Sequence, residues 1–204
     1  GMLITDYTDD ARSQEYLVWL PALRKIRRFA QPAHDDAWGG TDFTFGDVTL
    51  RKPLHETHKL LGMEPFGKTV HAMIIDEADQ TSTTKKLPGN TDEYKGATVY
   101  KVESKTKFPG WWYDTRITYV DSKNFSDYLC EYYKNGKLVK TLEKNWKLIE
   151  GQSDPRALRW FTWYAKTLET GHETMAYIPN AVTKFNTALK SGLWSQSTLE
   201  KIKK

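Results

Sequence analysis

Cysteine is nearly absent from this 204-residue chain, which has only Cys130, so an internal disulfide and a zinc site built from several cysteines are excluded. No stretch approaches the roughly 20 apolar residues that span a bilayer, and the N-terminus shows no basic segment followed by an apolar run. The glycine patterns of Walker, Rossmann and Gly-x-Ser-x-Gly enzymes are also missing. We therefore expect a chain that folds in water, with no metal and no other cofactor.

An excess of one charge is missing too, because 30 Lys and Arg face 26 Asp and Glu, for a net charge of +4. The two signs are interspersed along the chain, so we expect no nucleic-acid partner. The length fits one β-domain, and a single domain over residues 1–204 is predicted. Trp and Tyr are abundant, with 8 and 11 copies. Their rings suit a ligand cavity or a sheet face as well as an ordinary core.

Short β-rich runs separated by turn formers predict a mainly antiparallel β-protein. The strongest local signal is Asn135-Gly136, because both residues tolerate the positive φ of a two-residue hairpin turn. Counting outward from this turn pairs Tyr133 with Leu138 and Glu131 with Lys140. Hairpins are also expected from 3–7 with 15–20 and from 160–168 with 173–178, and further strands at 69–75, 97–104 and 112–120.

Four other segments have weaker or different patterns. Residues 31–57 contain many turn formers and predict a long functional loop with one helical turn near 44–48. Residues 79–95 are polar and predict an exposed loop. Residues 180–189 fit either a helix face or a strand, while 197–204 predict a short C-terminal helix with a serine at its start and cations in its last turn.

The candidate catalytic residues form no constellation. His55 and His58 are three residues apart, whereas a zinc-protease helix needs two histidines at i and i+4. His172 has no second histidine near it. Cys130 alternates with Tyr128 and Tyr132 in an expected strand, which favours core packing over a nucleophile. We expect no catalytic residue and no enzyme activity.

Four cations in five residues, Arg24, Lys25, Arg27 and Arg28, repel one another and require an anionic partner. One interpretation is pairing within the chain, for example with Asp42 and Asp47 or with the carboxylates at 35 and 36. The other is binding to a phosphate-bearing lipid headgroup, an anionic membrane surface or an acidic protein. Both interpretations stay open, and they can coexist.

Two motifs around this run resemble a known family. Residues 16–29 read Tyr-Leu-Val-Trp-Leu-Pro-Ala-Leu-Arg-Lys-Ile-Arg-Arg-Phe, and residues 38–48 read Trp-Gly-Gly-Thr-Asp-Phe-Thr-Phe-Gly-Asp-Val. Their order and spacing are similar to those of the LolA-like outer membrane lipoprotein-sorting protein family of Gram-negative bacteria. The segments 58–62, 132–140 and 171–174 also resemble the family pattern. The resemblance covers most of the chain.

The resemblance implies a curved antiparallel sheet that forms a half-open barrel around an apolar cavity, closed by a few short helices. It also implies a periplasmic protein that binds lipid or lipoprotein acyl chains and aids their sorting to the outer membrane. In this framework residues 180–189 become a late strand. Five aromatic residues of the concave sheet face are expected to hold acyl chains, while the basic run meets phosphate: Trp19, Trp112, Tyr119, Trp146 and Trp163.

The chain departs from the family at its start. Family members carry several dozen residues before the matching region, so the N-terminal part of the family fold is expected to be missing here. A sheet that lacks those elements would expose an edge and part of an apolar face. We therefore expect either a homodimer or an amphiphile that covers this surface.

Two other functions stay open beside the carrier. One is a ligand-free periplasmic adaptor that docks on an inner-membrane lipid exporter, because members of this family are often associated with such exporters. The other is an enzyme on the same scaffold. Bound lipid in the purified protein would favour the carrier, and repeatedly empty protein would favour the adaptor.

Overall fold

The computed structural model of the protein describes residues 1–72, 81–82, 85, 89–178, 183–185 and 187–201. They belong to two compact units, which we describe separately. Unit 1 comprises residues 1–34 and 184–204, and unit 2 comprises residues 35–183. The prediction of a single domain over 1–204 stays a prediction.

Unit 1 contains a three-stranded antiparallel sheet in the order β1-β2-β3, formed by β1 (Met2–Thr5), β2 (Glu15–Leu20) and β3 (Lys25–Phe29). A 3₁₀ turn, Pro21–Leu23, joins β2 to β3 and ends at Arg24 with a φ of 49°. The helix α1 (Gln196–Lys201) packs against β1 and β2. The predicted first hairpin is thus confirmed, as is the C-terminal helix over its described residues.

Unit 2 is built on a seven-stranded antiparallel sheet in the order β12-β11-β10-β9-β8-β7-β4, which does not close into a barrel. A separate two-stranded ladder joins β5 to β6. The mainly β, antiparallel fold class is confirmed. The strands are β4 (Glu56–Pro65), β5 (Val70–His71), β6 (Asn90–Thr91), β7 (Thr98–Thr106), β8 (Thr115–Asp121), β9 (Asp127–Lys134), β10 (Lys137–Leu148), β11 (Leu158–Thr167) and β12 (Glu173–Tyr177).

The Asn135-Gly136 turn joins β9 to β10 as predicted, with φ values of 50° and 74°. Tyr133 pairs with Leu138, also as predicted. The predicted pairing of Glu131 with Lys140 is wrong, because Lys140 pairs with Tyr132 and Glu131 with Thr141. A bulge between Leu138 and Lys140 causes this shift, and it turns Lys140 to the sheet face opposite Glu131.

Other predicted segments match in part. The helical turn expected near 44–48 is a π-helical turn at Gly46–Leu50, and the last hairpin is β11 with β12. The strand expected at 69–75 is short in its described part, and residues 73–75 lie outside the described residues. Most described residues of the expected loop 79–95 are exposed, but Tyr94 is buried and Asn90–Thr91 form the short strand β6.

The late strand expected at 180–189 is wrong for the six positions that the structure describes. Residues 183–185 and 187–189 lie in neither a strand nor a helix, and the other four positions lie outside the described residues. Phe185 and Leu189 are exposed, so their apolar spacing does not mark a buried face. Within the described residues no helix is long and apolar enough to cross a membrane.

Each face of the seven-stranded sheet carries its own buried cluster. Adjacent residues of a strand point to opposite faces, so Leu129 and Cys130 of β9 belong to different clusters. The Phe66 cluster comprises Phe66, Val70, Tyr94, Val99, Tyr119, Tyr128 and Leu129. The Phe43 cluster comprises Phe43, Tyr113, Cys130, Tyr132, Leu142 and Ala165.

Candidate functional site

The segment 35–55 lies over the Phe43 face of the sheet, and a buried aspartate anchors it there. Asp47 sits in the π-helical turn and caps it reciprocally: Thr44 N donates to its carboxylate (3.0 Å), and its own N donates to Thr44 Oγ1 (3.1 Å). The same carboxylate accepts from Arg51 Nη2 at 2.7 Å, Tyr132 OH at 2.8 Å and Lys140 Nζ at 2.5 Å. Both carboxylate oxygens are therefore satisfied inside the protein.

Burial and charge act in opposite directions on Asp47. Its side chain is fully buried, which alone would raise its pKa, but Lys140 and Arg51 hold that pKa well below its usual value. Burial likewise would lower the pKa of Arg51, yet Tyr132 and Asp47 raise it. The Asp47 carboxylate and the Arg51 guanidinium are thus charged in the folded protein at neutral pH.

A second buried ion pair lies beside the first. Arg116 donates to both oxygens of Glu56, at 2.8 Å from Nε and 2.5 Å from Nη2, and Tyr113 OH donates to the same carboxylate at 3.0 Å. Burial would raise the pKa of Glu56, but Arg116 lowers it below its usual value. Two carboxylates and three cations therefore share this face, and the Nε of Arg51 has no hydrogen-bond partner among the described residues.

The loop before the turn is held by a second aspartate. Gly39 and Gly40 have φ values of 62° and 80°, which favour glycine and reverse the chain so that Trp38 N donates to Phe43 O at 2.7 Å. Asp42, two residues after Gly40, accepts from Thr167 Oγ1 and Thr174 Oγ1, both at 2.7 Å. His172 Nδ1 lies 2.5 Å from the same carboxylate. Asp42 therefore fastens the loop to the β11–β12 hairpin.

A cavity of about 440 Å³ opens between this loop and the sheet. Its apolar lining is Trp112, Val139 and Ala37, and Lys140 reaches it with its charge already paired to Asp47. The Lys140 ammonium lies 4.9 Å from the centre of the Trp112 ring, within cation–π range. The remaining lining residues are polar or charged: Asp35, Thr41, Asp42, Thr44, Lys134, Thr167 and Glu169. The volume falls in the range of small-molecule sites.

The five aromatic residues predicted to hold a ligand do not share one face. Trp112 and Trp163 pack against the Phe43 cluster, whereas Tyr119 and Trp146 belong to or pack against the Phe66 cluster. Trp19 lies on β2 of unit 1. The expected single aromatic face is therefore wrong, and of the five only Trp112 lines the cavity beside Lys140.

Asp42 and Asp47, expected as partners of the basic run, have partners within unit 2, and pairing of the run with them stays a prediction. Arg24, Lys25, Arg27 and Arg28 are exposed. Arg28 lies 3.6 Å from Glu15 on the neighbouring strand β2. Cross-strand neighbours thus supply the one ion pair of the run among the described residues.

The histidines considered for a metal have structural contacts. His58 Nδ1 lies 2.9 Å from Ser104 Oγ and its Nε2 lies 2.9 Å from Pro53 O. His55 Nδ1 accepts from Lys52 N at 3.2 Å. No group of three or more His, Cys, Asp or Glu that could hold a metal occurs within the part of the chain that the structure describes.

Similar proteins are found through the fold. A solved domain assigned as an outer membrane lipoprotein-sorting protein, from Vibrio parahaemolyticus, matches with a TM-score of 0.63 and 16% identity, over 98% of this chain and 70% of the other. The fold is LolA-like. A DUF1329 family protein from Desulfovibrio piger matches with a TM-score of 0.62 and 16% identity, over 97% of this chain and 70% of the other. Identities this low extend the likeness to the fold alone.

The comparisons by sequence add less. One family model, described as an uncharacterized protein, matches residues 1–86. No curated protein matches the chain significantly. The resemblance to LolA-like sorting proteins is therefore confirmed at the level of the fold, while the function requires its own argument.

The Asp42 contacts give a testable property of this LolA-like fold. Replacing Asp42 with Ala should speed amide hydrogen exchange in residues 38–44 and lower the free energy of unfolding by about 1 kcal/mol, because it leaves two partly buried hydroxyls without their acceptor. Burial would raise the Asp42 pKa, but Thr174 and Thr167 lower it, so its contribution is present above the unfolded carboxyl value and is lost as pH falls through the folded pKa. The exposed Asp35 is the control, and equal exchange in Asp42→Ala and Asp35→Ala would contradict the anchoring role.

Proposed function

We propose that the protein is a periplasmic carrier that binds lipid or lipoprotein acyl chains and aids their sorting to the outer membrane. The observation that carries this proposal is the cavity beside Trp112 in a LolA-like fold. The similar domain from Vibrio parahaemolyticus is assigned as an outer membrane lipoprotein-sorting protein, which supports the same class of cargo. A carrier of this kind performs no chemistry on its cargo, so the proposal includes no enzyme activity.

The chemistry of the cavity supports an amphiphile. An apolar tail would contact the Trp112 ring and Val139, and a polar end would remain near Lys134 and Glu169 at the charged part of the lining. Lys140 is already neutralised by Asp47, so the tail would not meet an unpaired charge. The loop 37–44 forms one wall, and Asp42 holds that wall against the β11–β12 hairpin.

The test measures binding of a fluorescent fatty-acid probe to two tryptophan variants. Trp112→Ala should weaken binding about tenfold, because Trp112 is the one aromatic side chain among the described lining residues. Trp146→Ala is the matched control, since Trp146 is equally half-buried but packs against the Phe66 cluster. Loss of binding in Trp146→Ala alone would move the site to the other face, and unchanged binding in both variants would contradict the proposal.

Native mass spectrometry of protein purified from its own periplasm would separate the carrier from its alternative. A stoichiometric lipid adduct supports carriage. Repeatedly empty protein would favour the ligand-free adaptor that docks on an inner-membrane lipid exporter. The same spectrum reports a homodimer, for which the observation in favour is the edge strand β4 with its exposed Leu60, Leu61 and Met63.

A further inference from the structure

Positive charge is concentrated in unit 1. That unit contains ten Lys and Arg against five Asp and Glu, whereas unit 2 contains twenty against twenty-one. The whole net positive charge of the protein therefore belongs to about a quarter of its residues. A net charge of this kind attracts anionic surfaces over about 10 Å at moderate salt.

The strand β3 presents the densest part of this charge. It lies at the edge of its sheet, and Lys25, Arg27 and Arg28 on it are exposed, as is Arg24 just before it. Arg28 is near Glu15, but both side chains are largely exposed, at 69% and 39%. Arg24, Lys25 and Arg27 form no ion pair with any described residue. These three cations are therefore available to an external partner.

Apolar side chains are exposed in the same unit. Of the sixteen large apolar side chains that are exposed among the described residues, seven belong to unit 1. Leu23 and Phe29 flank the basic run and are 56% and 48% exposed, and Trp194 is 73% exposed. Soluble proteins seldom leave tryptophan so uncovered, since its large ring is costly to hydrate.

Protection of the sheet edge explains only half of these observations. Charged residues on an edge strand do prevent pairing with other strands. However, a strand that serves only to repel other chains would not be flanked by exposed leucine and phenylalanine. Cations together with exposed Trp, Phe and Leu are the combination found on segments that lie in the headgroup region of a bilayer.

We propose that unit 1 is a docking surface for an anionic lipid bilayer, with Arg24, Lys25 and Arg27 contacting phosphate headgroups and Trp194 entering the interface. An acidic protein partner would use the cations, but it would give no reason for the uncovered tryptophan. A bilayer uses both, because its phosphates lie directly above its apolar region. Such docking would bring the carrier to the membrane independently of what its cavity holds.

The test is sedimentation of the full-length protein with sucrose-loaded vesicles. One set contains phosphatidylcholine alone, and the other contains equal amounts of phosphatidylcholine and phosphatidylglycerol. We expect binding to the anionic set only, with release at high salt. Each cation near an anionic surface contributes roughly a fivefold gain, so R24Q/K25Q/R27Q should weaken binding on the order of 100-fold. W194S should weaken it about tenfold.

Matched controls come from unit 2. K59Q/K123Q/K137Q removes three exposed lysines, and F125S removes an exposed aromatic residue, so both should bind vesicles almost as the unmodified protein does. Circular dichroism should show every variant folded, since the replaced cations hold no ion pair in the described residues. Equal losses in the two triple variants would overturn the docking surface.

A soluble polyanion separates the two kinds of partner. If polyglutamate binds with the same dependence on Arg24, Lys25 and Arg27 while the anionic vesicles do not bind, the partner is an acidic protein and the proposal is wrong. If the vesicles bind but W194S has no effect, the insertion of Trp194 is wrong. Trp112→Ala should lose fatty-acid binding but bind vesicles as the unmodified protein does. The carrier proposal and the docking proposal can therefore fail separately.

Discussion

Replacing Asp47 with Asn is expected to lower the free energy of unfolding by about 3–5 kcal/mol, because it leaves Lys140 and Arg51 buried without a counter-charge. Lys140 is only 4% exposed, so water cannot take the place of the lost carboxylate. The measurement is equilibrium unfolding in urea, with the slope checked to be unchanged. D47N/K140M should recover at least about 1 kcal/mol, since it removes one of the two stranded cations.

A surface pair provides the control for this prediction. Asp154 pairs with Arg156 at 2.8 Å, but both side chains are largely exposed. Asp154→Asn should therefore leave the unfolding midpoint almost unchanged. An equally small effect of Asp47→Asn would show that this carboxylate does not anchor the segment 35–55. The cavity wall formed by that segment would then need another explanation.

The pH dependence of stability should change with the same substitution. The pKa of Asp47 is depressed in the folded protein, so its contribution is present above the unfolded carboxyl value of about 4 and is lost as pH falls through the folded pKa. The unmodified protein should thus lose stability steeply below about pH 4, and Asp47→Asn should lose less over that window. If the stability of the two proteins fell in parallel with pH, the depressed pKa of Asp47 would be contradicted.

Local signals in the sequence determine the parts of the fold that could be predicted. Asn135-Gly136 fixes a turn because few residue pairs tolerate positive φ at both positions, and the structure has that turn. The edge strand β4 was not predicted, because Leu60, Leu61 and Met63 are exposed and the segment lacks the alternation of a half-buried strand. The bulge between Leu138 and Lys140 leaves no mark in composition, yet it decides which face Lys140 occupies.

The candidate site shows the same limit. Asp42 and Asp47 were expected as counter-charges for the basic run, and in the structure both have partners on distant strands. Lys140 is 93 residues from Asp47 along the chain, so no local pattern could connect the two. The one available signal was a lysine between Val139 and Thr141 in a predicted strand, since a lysine that is buried in a sheet requires a counter-charge.

The aromatic residues failed as a group for a different reason. Abundance of Trp and Tyr indicates burial of large rings, but a sheet has two faces and each needs a core. Tyr119 and Trp146 contribute to the Phe66 cluster, and Trp112 packs against the Phe43 cluster. Only the register of each strand, including its bulges, assigns a ring to a face.

Phe66→Ala is expected to lower the free energy of unfolding by about 3–5 kcal/mol, because Phe66 is 1% exposed and its removal leaves a cavity in the core. Its ring packs edge-on against Tyr119 and Tyr128, with centroids 5.9 and 5.5 Å away. The backbone N of Phe66 also donates to Ala97 O at 2.8 Å, and this bond holds Phe66 on the sheet face that carries the Phe66 cluster.

The result of Phe66→Ala decides whether this sheet face is core or binding groove. A groove that admits acyl chains would tolerate the truncation, since its walls already separate to accept a ligand, and fatty acid would then restore any lost stability. A packed core would lose stability that fatty acid does not restore. Phe125→Ala, at a residue 64% exposed, is the control and should change the free energy little. A loss below about 1 kcal/mol for Phe66→Ala, or its rescue by fatty acid, would return Tyr119 and Trp146 to the list of ligand-binding residues.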